Sequence, residues 1–129
     1  MGRGNQAGRL TVTVLKGEQL PNRSGMMDKT DPYVKLELYN AQWAQGAEVK
    51  TVVADNAGSN PEWGQALVME KNADEDLLKI KVYDDDTFND DKIGEAMLHL
   101  DPVAEGSEFY VNIFKDEEFR GRIFLKIDY

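Results

Sequence analysis

Five aspartates lie within the eight residues from Asp84 to Asp91, in the stretch VYDDDTFNDDKIG. Carboxylates held so close together repel one another unless a cation lies among them. In an extended chain, Asp84 and Asp86 would point to one side and Asp85 to the other. This spacing predicts that Asp84 and Asp86 share a metal ion.

Two other connections carry further oxygen donors. Asp28 and Asp31 lie in the long connection after the first predicted strand, and Asn60 lies in a later turn sequence. If these loops meet at one end of the fold, their side chains would join the aspartate cluster. Flexible carboxylates with amide oxygens suit the irregular shell of about six to eight oxygens around calcium, whereas magnesium requires a rigid octahedron. The sequence therefore favours calcium, and the alternative is a set of solvated turn acids that bind no ion.

Apolar and polar residues alternate along several segments, which is the pattern of half-buried β-strands. Turn-forming residues separate the segments, and no stretch shows the sustained period of an amphipathic helix. The prediction is an all-β protein, an eight-stranded antiparallel β-sandwich. The clear strand signals cover residues 10–14, 34–38, 78–82, 109–113 and 123–127, and weaker signals cover 48–53, 65–70 and 93–100.

Composition narrows the class of protein. The 129 residues are the length of one domain, which we expect to be a monomer. The absence of cysteine fits a reducing compartment such as the cytoplasm, and no apolar segment predicts a signal peptide or a membrane span. A formal net charge of −9 disfavours nucleic acid as a partner. It also disfavours anionic lipid unless a cation reverses the local charge.

Three segments, LPNRSGMMDKTDPYVKL, SNPEWGQAL and VYDDDTFNDDKIGEAML, resemble the C2 domain of protein kinase C, synaptotagmins and phospholipases. The resemblance follows the family's order and spacing and covers nearly the whole chain. It implies an eight-stranded sandwich with three loops at one end that bind calcium and then anionic phospholipid. Because the chain closes on the strand-like segment GRIFLKIDY, it resembles the permuted type II topology. The chain would then divide into an N-terminal extension, residues 1–8, and a C2 domain, residues 9–129.

The resemblance also implies a set of metal ligands. By position, Asp31, Asp84, Asp86 and Asp91 match the ligands that the family places in its first and third loops. Asn60 matches a position that supplies an amide oxygen in some members of this topology. The implied cofactor is one or two calcium ions.

The match departs from the family at two places. Gly25 occupies the position, six residues before Asp31, where the family usually has an aspartate. Asp28, three residues before Asp31, is an acid in some phospholipase members and would take over. The third loop is one residue shorter than is common, so Asp90 competes with Asp91 as a ligand. The missing carboxylate at Gly25 puts a second calcium ion and tight binding in doubt.

Large apolar residues stand in the connections that should be exposed. Met26 and Met27 lie in the first of these and Phe88 in the third, among polar neighbours. An exposed hydrophobic side chain that packs on nothing is a candidate membrane anchor. The family inserts such residues at its loop tips into the bilayer, so these three are the predicted membrane-insertion residues. The alternative is that Met26 or Phe88 folds back on the core.

The sequence shows no strong basic patch for lipid headgroups. Four lysines lie scattered on three predicted strands, and acids stand near two of them. We therefore predict no strong selectivity for phosphoinositides. The lysines are Lys35, Lys50, Lys79 and Lys81, and the acids are Glu37 and Glu48.

Three classes of function are compatible with these features. We favour a calcium-dependent phospholipid-binding module, cytoplasmic and reversibly peripheral to membranes, whose partner is the anionic membrane surface when calcium is bound. The alternative is a calcium-independent protein-interaction or scaffold domain with a degraded metal site, which would have a protein partner. An enzyme is disfavoured, because no serine stands in a recognisable motif with the sole histidine, His99.

Overall fold

The computed structural model of the chain describes residues 6–22 and 29–129. These residues form eight β-strands and no helix, which confirms the predicted all-β architecture. It follows that the described part of the chain contains no helix able to cross a membrane. The strands are β1 Gly8–Glu18, β2 Pro32–Tyr39, β3 Gln45–Lys50, β4 Glu62–Lys71, β5 Leu77–Asp84, β6 Asp91–His99, β7 Glu108–Lys115 and β8 Glu118–Asp128.

The strands follow the order β3-β2-β5-β6-β7-β8-β1-β4, and all neighbours are antiparallel. Between β6 and β7 the ladder is reduced to one pair, Glu95 with Phe114. The sheet folds over at this seam, so that β3-β2-β5-β6 packs on β7-β8-β1-β4 as a sandwich. The last strand, β8, lies between β7 and β1, as the permuted topology requires.

The interior is built from the alternating apolar residues. Their side chains point to the same face of each strand and are removed from solvent. Each such side chain contributes on the order of 1.5–3 kcal/mol when fully buried. Fully buried examples are Leu10, Val12 and Val14 on β1, Val34, Leu36 and Leu38 on β2, Leu78, Ile80 and Val82 on β5, and Ile123, Leu125 and Ile127 on β8.

The seam depends on a close backbone approach at Gly94. A Cβ atom there would lie 2.8 Å from the backbone oxygen of Phe114 and 2.7 Å from Cγ2 of Ile113. A larger residue would therefore push β6 away from β7. The glycine brings the start of β6, with Asp91, close to the end of β7, with Lys115.

β3 covers residues 45–50, so that each of its ends lies three residues earlier than in the predicted segment 48–53. Its ladder with β2 ends at Lys50, because the next residue, Thr51, pairs differently. The Thr51 backbone N–H donates to the carbonyl of Val34 at 2.9 Å, but its hydroxyl, not its own carbonyl, accepts from the Val34 N–H at 3.0 Å. A side chain thus replaces the main chain as acceptor, and the regular pairing stops.

A two-residue turn joins β7 to β8. Both of its residues are in the left-handed region, with φ of 51° at Asp116 and 68° at Glu117. Such turns match the twist of the flanking strands, but they favour asparagine, aspartate or glycine because other side chains crowd the backbone. Glu117 therefore carries backbone strain.

We expect Glu117→Gly to raise the free energy of unfolding by about 0.5–1 kcal/mol, since relief of the strain exceeds the added freedom of the unfolded chain. Thermal unfolding followed by circular dichroism measures the change. Glu117→Gln is the matched control, because it removes the charge but keeps the strained φ. An equal gain in both variants would attribute the effect to repulsion between the acids of the turn instead.

Candidate metal centre at the loop end

Three connections lie at one end of the sandwich, and we call this end the loop end. Loop one comprises residues 19–31, loop two 51–61 and loop three 85–90. Backbone hydrogen bonds join them: Leu20 N–H donates to the Ser59 carbonyl at 3.1 Å, and Asp85 N–H donates to the Asp31 carbonyl at 2.9 Å. The described parts of the three loops therefore meet at this end.

Asp84, at the end of β5, is the most enclosed of the loop-end acids that the structure describes. Only 5% of the surface of Asp84 is exposed, and its Oδ1 accepts a hydrogen bond from the backbone N–H of Asp31 at 2.9 Å. The Asp31 carboxylate in turn accepts a short hydrogen bond from the backbone N–H of Asn56 in loop two. Asp91 is the residue opposite Asp84 in the ladder between β5 and β6. Three of the predicted ligands thus occupy adjoining backbone positions.

Asp90 makes two contacts of its own. The hydroxyl of Tyr33 donates a short hydrogen bond to Oδ2, and the backbone N–H of Asp86 donates to Oδ1 at 3.1 Å. These donors, the Tyr33 hydroxyl foremost, hold the pKa of Asp90 below its usual value. Both carboxylate oxygens therefore already have partners that stabilise the charged form.

The prediction that Asp85 points away from the cluster is wrong. Partial desolvation raises the pKa of Asp85, and the nearby Asp90 raises it further through its charge and a hydrogen bond. The charges of Asp31 and Asp55 act in the same direction. The reason is that β5 ends at Asp84, so the alternation of a strand does not extend to the next residue.

This shift gives a pH-dependent prediction. A carboxyl whose pKa is raised by folding stabilises the fold when protonated, and that contribution is lost as pH rises through the raised pKa. We therefore expect Asp85→Asn to increase the melting temperature of the calcium-free protein at neutral pH. The gain should vanish below the pKa of Asp85, which a series of thermal melts against pH would measure. A rise in melting temperature that persists at acid pH would contradict the view that repulsion between Asp85 and the neighbouring acids destabilises the fold.

The described acids do not form a finished metal cage. Among residues 6–22 and 29–129, no three acidic, histidine or cysteine side chains converge closely enough to hold an ion. The carboxylates of Asp31, Asp84 and Asp90 instead accept hydrogen bonds from neighbouring donors. In chemistry the set fits calcium, because all its donors are oxygens and its negative charges add to desolvation in raising the pKa of Asp85. Asp28 and Gly25 lie outside the described residues.

Asn60 links loop two to the start of loop one. Its side-chain oxygen accepts from the backbone N–H of Gln19 at 3.4 Å, a long hydrogen bond. This oxygen is the atom that the resemblance assigns to calcium. In the structure it therefore supports the loop backbone.

Phe88 is the most exposed large hydrophobic residue among those described, with 89% of its surface accessible. It does not fold back on the core, as the alternative from the sequence would require. Its insertion into a membrane stays a prediction. Met26 and Met27 lie outside the described residues.

The four lysines are not scattered. In the register of the sheet, Lys35 on β2 stands opposite Lys50 on β3 and opposite Lys81 on β5. Lys35 lies 5.3 Å from the ring centre of Tyr83, and Lys50 lies 5.6 Å from that of Tyr33. These side chains form one face of the sandwich, which the sequence did not reveal because register is set by pairing.

Acids nevertheless balance this lysine face. Glu37 is buried and lies 3.0 Å from the ammonium group of Lys81 and 3.9 Å from that of Lys35. Burial opposes its ionisation, but the hydrogen bonds from Tyr39 and Lys81 outweigh burial, and the pKa of Glu37 is lowered. The prediction of a weak basic patch therefore still has a physical reason, because acids neutralise the lysines. The reason given from the sequence, that the lysines are scattered, does not hold.

Two residues at the loop end were not singled out from the sequence. Tyr33 holds Asp90, and the backbone N–H of Asn56 holds the carboxylate of Asp31. Tyr33 lies on β2, and its contact with Asp90 depends on the pairing of β2 with β5, the strand that leads into loop three, which the sequence does not show. Asn56 acts through its backbone N–H, and the residue has a φ of 55°. The sequence carries no signal for this backbone contact.

Comparison with known proteins agrees with this architecture. The family model of the C2 domain matches residues 8–114. The 16 kDa phloem protein 2 of Arabidopsis thaliana is 31% identical over 95% of this chain and 81% of that protein. A calcium-dependent lipid-binding protein of Arabidopsis thaliana is 29% identical over 95% of this chain but only 25% of its own length. A C2 domain of plant Extended Synaptotagmin 1 superposes with a TM-score of 0.78 at 24% identity, over 95% of this chain and 93% of that one. The chain belongs to the C2 domain family.

Proposed function

We propose that this C2 domain is a calcium-dependent phospholipid-binding module whose loop end docks on anionic membranes. One observation carries the proposal: loop three presents a cluster of carboxylates and, between them, the 89% exposed side chain of Phe88. Acids that attract calcium beside a hydrophobic tip suit a surface that is both anionic and apolar. The name of one relative, a calcium-dependent lipid-binding protein, supports the same function.

The ligands we propose are those that the resemblance implies. Asp91 is preferred to Asp90, because the oxygens of Asp90 already accept from Tyr33 and from the Asp86 backbone. Calcium would neutralise the repulsion that raises the pKa of Asp85. The proposed ligand set is Asp28, Asp31, Asn60, Asp84, Asp86 and Asp91, around one or two calcium ions.

The membrane role follows from charge and exposure. With the acids neutralised, anionic headgroups are no longer repelled from the loop end. Phe88 would then enter the bilayer together with Met26 and Met27. The protein would be cytoplasmic, peripheral to the membrane while calcium is bound, and a binding module without catalytic activity.

Co-sedimentation with vesicles of phosphatidylcholine and phosphatidylserine tests the proposal. Binding is expected in millimolar calcium and should be lost with a chelator or with vesicles of phosphatidylcholine alone. Equal binding in calcium and in chelator would overturn the calcium dependence.

The second candidate is a calcium-independent protein-interaction domain. It is favoured by Gly25 at a usual ligand position and by the absence of a finished cage among the described residues. A calorimetric calcium titration separates the two candidates. No heat of binding, with and without anionic vesicles, would favour the interaction domain.

The assignment of Asp91 over Asp90 is testable in the same titration. We expect Asp91→Asn to weaken calcium binding by about tenfold or more, since the affinity of oxygen sites follows the charge of their ligands. Asp90→Asn should change the affinity much less, because its oxygens serve Tyr33 and the loop backbone. The reverse order of effects would make Asp90 the ligand and Asp91 a solvated turn acid.

A further inference from the structure

Aromatic side chains line the outer face of β7 and β8, the face opposite the core. Two pairs of rings face each other across the ladder: the ring centres of Tyr110 and Phe124 are 5.4 Å apart, and those of Phe114 and Phe119 are 6.1 Å apart. We call these four residues the aromatic band. All but Phe124 are among the exposed large hydrophobic residues, with 41–50% of their surface accessible. Exposed rings grouped in this way are typical of surfaces that bind another protein.

Arg122 lies between the two ring pairs. Its guanidinium carbon is 5.1 Å from the ring centre of Tyr110 and 5.7 Å from that of Phe119. The rings attract the flat guanidinium group but do not accept its in-plane hydrogen bonds. Nε is buried, and Arg122 makes no hydrogen bond or ion pair with another described residue. A guanidinium group held in this way is stabilised by a carboxylate, which accepts two of its N–H groups side by side.

The acid nearest to Arg122 in the ladder has another partner. Glu18 stands opposite Arg122 in the register of β1 and β8, but its carboxylate lies 3.1 Å from the ammonium group of Lys16. Lys16 in turn lies 4.9 Å from the ring centre of Phe124. Arg122 therefore remains without an acid partner in the described part of this face.

The wider charges of the face disfavour a strongly acidic partner. At the outward strand positions the acids are Glu18, Glu62, Glu108 and Asp128, and the cations are Lys16, Arg122 and Lys126. At the hairpin, Lys115 and Arg120 are offset by Glu118 and by the two acids of the turn. One carboxylate placed against Arg122 is attracted, whereas a run of acids is repelled. A second copy of the chain, with a formal net charge of −9, is repelled as a whole.

The spacing of the band matches an extended chain. Its cross-strand pairs follow one another at every second residue of β7, or roughly every 6.6 Å. An extended segment places its side chains on one face at the same interval, whereas a helix repeats at about 5.4 Å. The successive pairs are Tyr110 with Phe124, Asn112 with Arg122, and Phe114 with Phe119.

We propose that the aromatic band is the docking surface for an extended segment of a protein partner that carries one carboxylate between two apolar side chains. In the pattern apolar-x-acid-x-apolar, the acid binds Arg122 and the apolar side chains cover the ring pairs on either side. A groove of about 420 Å³ beside Tyr110 and Phe124, which Leu15 also lines, receives one of the apolar side chains. The inference goes beyond the proposed function, because it needs neither calcium nor a membrane.

Synthetic peptides test the chemistry of the partner on the wild-type protein. The probe is the capped peptide threonine-leucine-threonine-aspartate-threonine-leucine-threonine, added in chelator and without lipid. At millimolar concentration it should shift the amide NMR signals of β7, β8 and β1 and leave those of β2 and β5 unchanged. The same peptide with asparagine in place of aspartate should bind about tenfold more weakly, because it lacks the charge-assisted hydrogen bonds to Arg122.

Protein variants test the role of Arg122. Arg122→Gln should weaken binding of the aspartate peptide about tenfold and should remove the difference between the two peptides. Arg122→Lys should bind with intermediate affinity, because an ammonium group keeps the charge but not the paired N–H groups. Lys126→Gln, on the same face of β8, is the matched control and should change binding less than twofold. Thermal melts show whether each variant is folded.

The aromatic band is not a docking site for this partner if millimolar peptide leaves the wild-type spectrum unchanged. Equal binding of the two peptides by the wild type would remove the proposed role of Arg122. Signals of the band that move with protein concentration alone would assign the face to a second copy. Loss of vesicle binding in Arg122→Gln and Tyr110→Ala would assign it to a membrane instead. A wild type that binds no vesicles in calcium would contradict only the proposed function, since the peptide experiment contains neither.

Discussion

Phe88→Ala is expected to bind anionic vesicles tenfold to a hundredfold more weakly than the wild type at the same calcium concentration. The ring is 89% exposed in solution, so its transfer into the bilayer would gain on the order of 1.5–3 kcal/mol, or about one to two decades in the partition constant. The substitution touches no proposed ligand, so the calcium-induced rise in melting temperature should persist. Vesicle co-sedimentation and thermal melts measure the two effects separately.

Trp43→Ala is the matched control for this prediction. Trp43 is also exposed, at 57%, but it lies in the turn after β2, at the end opposite the loops. Its removal should leave vesicle binding unchanged. If Phe88→Ala also bound like the wild type, the membrane contact would be electrostatic, without insertion of the ring.

Calcium is expected to raise the melting temperature of the wild type, and Asp84→Asn should lose most of this rise. An ion that binds only the folded protein stabilises it by about 2.7 kcal/mol at a hundredfold excess over its dissociation constant. For a chain of this size, that corresponds to roughly 10 °C. The asparagine keeps an oxygen for the backbone N–H of Asp31, so the calcium-free protein should remain folded.

Asp101→Asn provides the control for lost charge, because Asp101 is exposed and follows β6 at the end opposite the loops. It should keep the full calcium-induced rise. A wild-type melting temperature that does not change in millimolar calcium would instead favour the calcium-independent interaction domain.

The sequence predicts the strands well because the period of side chains along a strand is a local property. The alternation at residues 10–14 and 123–127 indicates directly which side chains are buried, and the turn chemistry between strands indicates where the acids are exposed. The same reasoning failed for Asp85, since periodicity cannot show the residue at which a strand ends. It also failed for the third strand, where the hydroxyl of Thr51 takes over pairing from the main chain.

Features that depend on strand order or register lay beyond the sequence. The row formed by Lys50, Lys35 and Lys81 exists because three strands separated along the chain pair in one register. Likewise, Lys115 donates to the carbonyl of Lys92 because the seam at Gly94 brings β6 against β7. Only one residue pair joins β6 to β7 at the seam. The sequence therefore carries little pattern from which this pairing could be predicted.

The position of β8 beside β1 has a mechanical consequence. β1 begins and β8 ends at the side of the sandwich opposite the loops, where Thr11 pairs with Asp128. Tension between these two strand ends would peel β8 from β1 one hydrogen bond at a time, because the bonds lie perpendicular to the strands. Tension between a membrane held at the loop end and a tether on either strand end would instead run along the strands and load many hydrogen bonds together. The domain would therefore resist unfolding far better when it is pulled along its strands than when the start of β1 and the end of β8 are pulled apart.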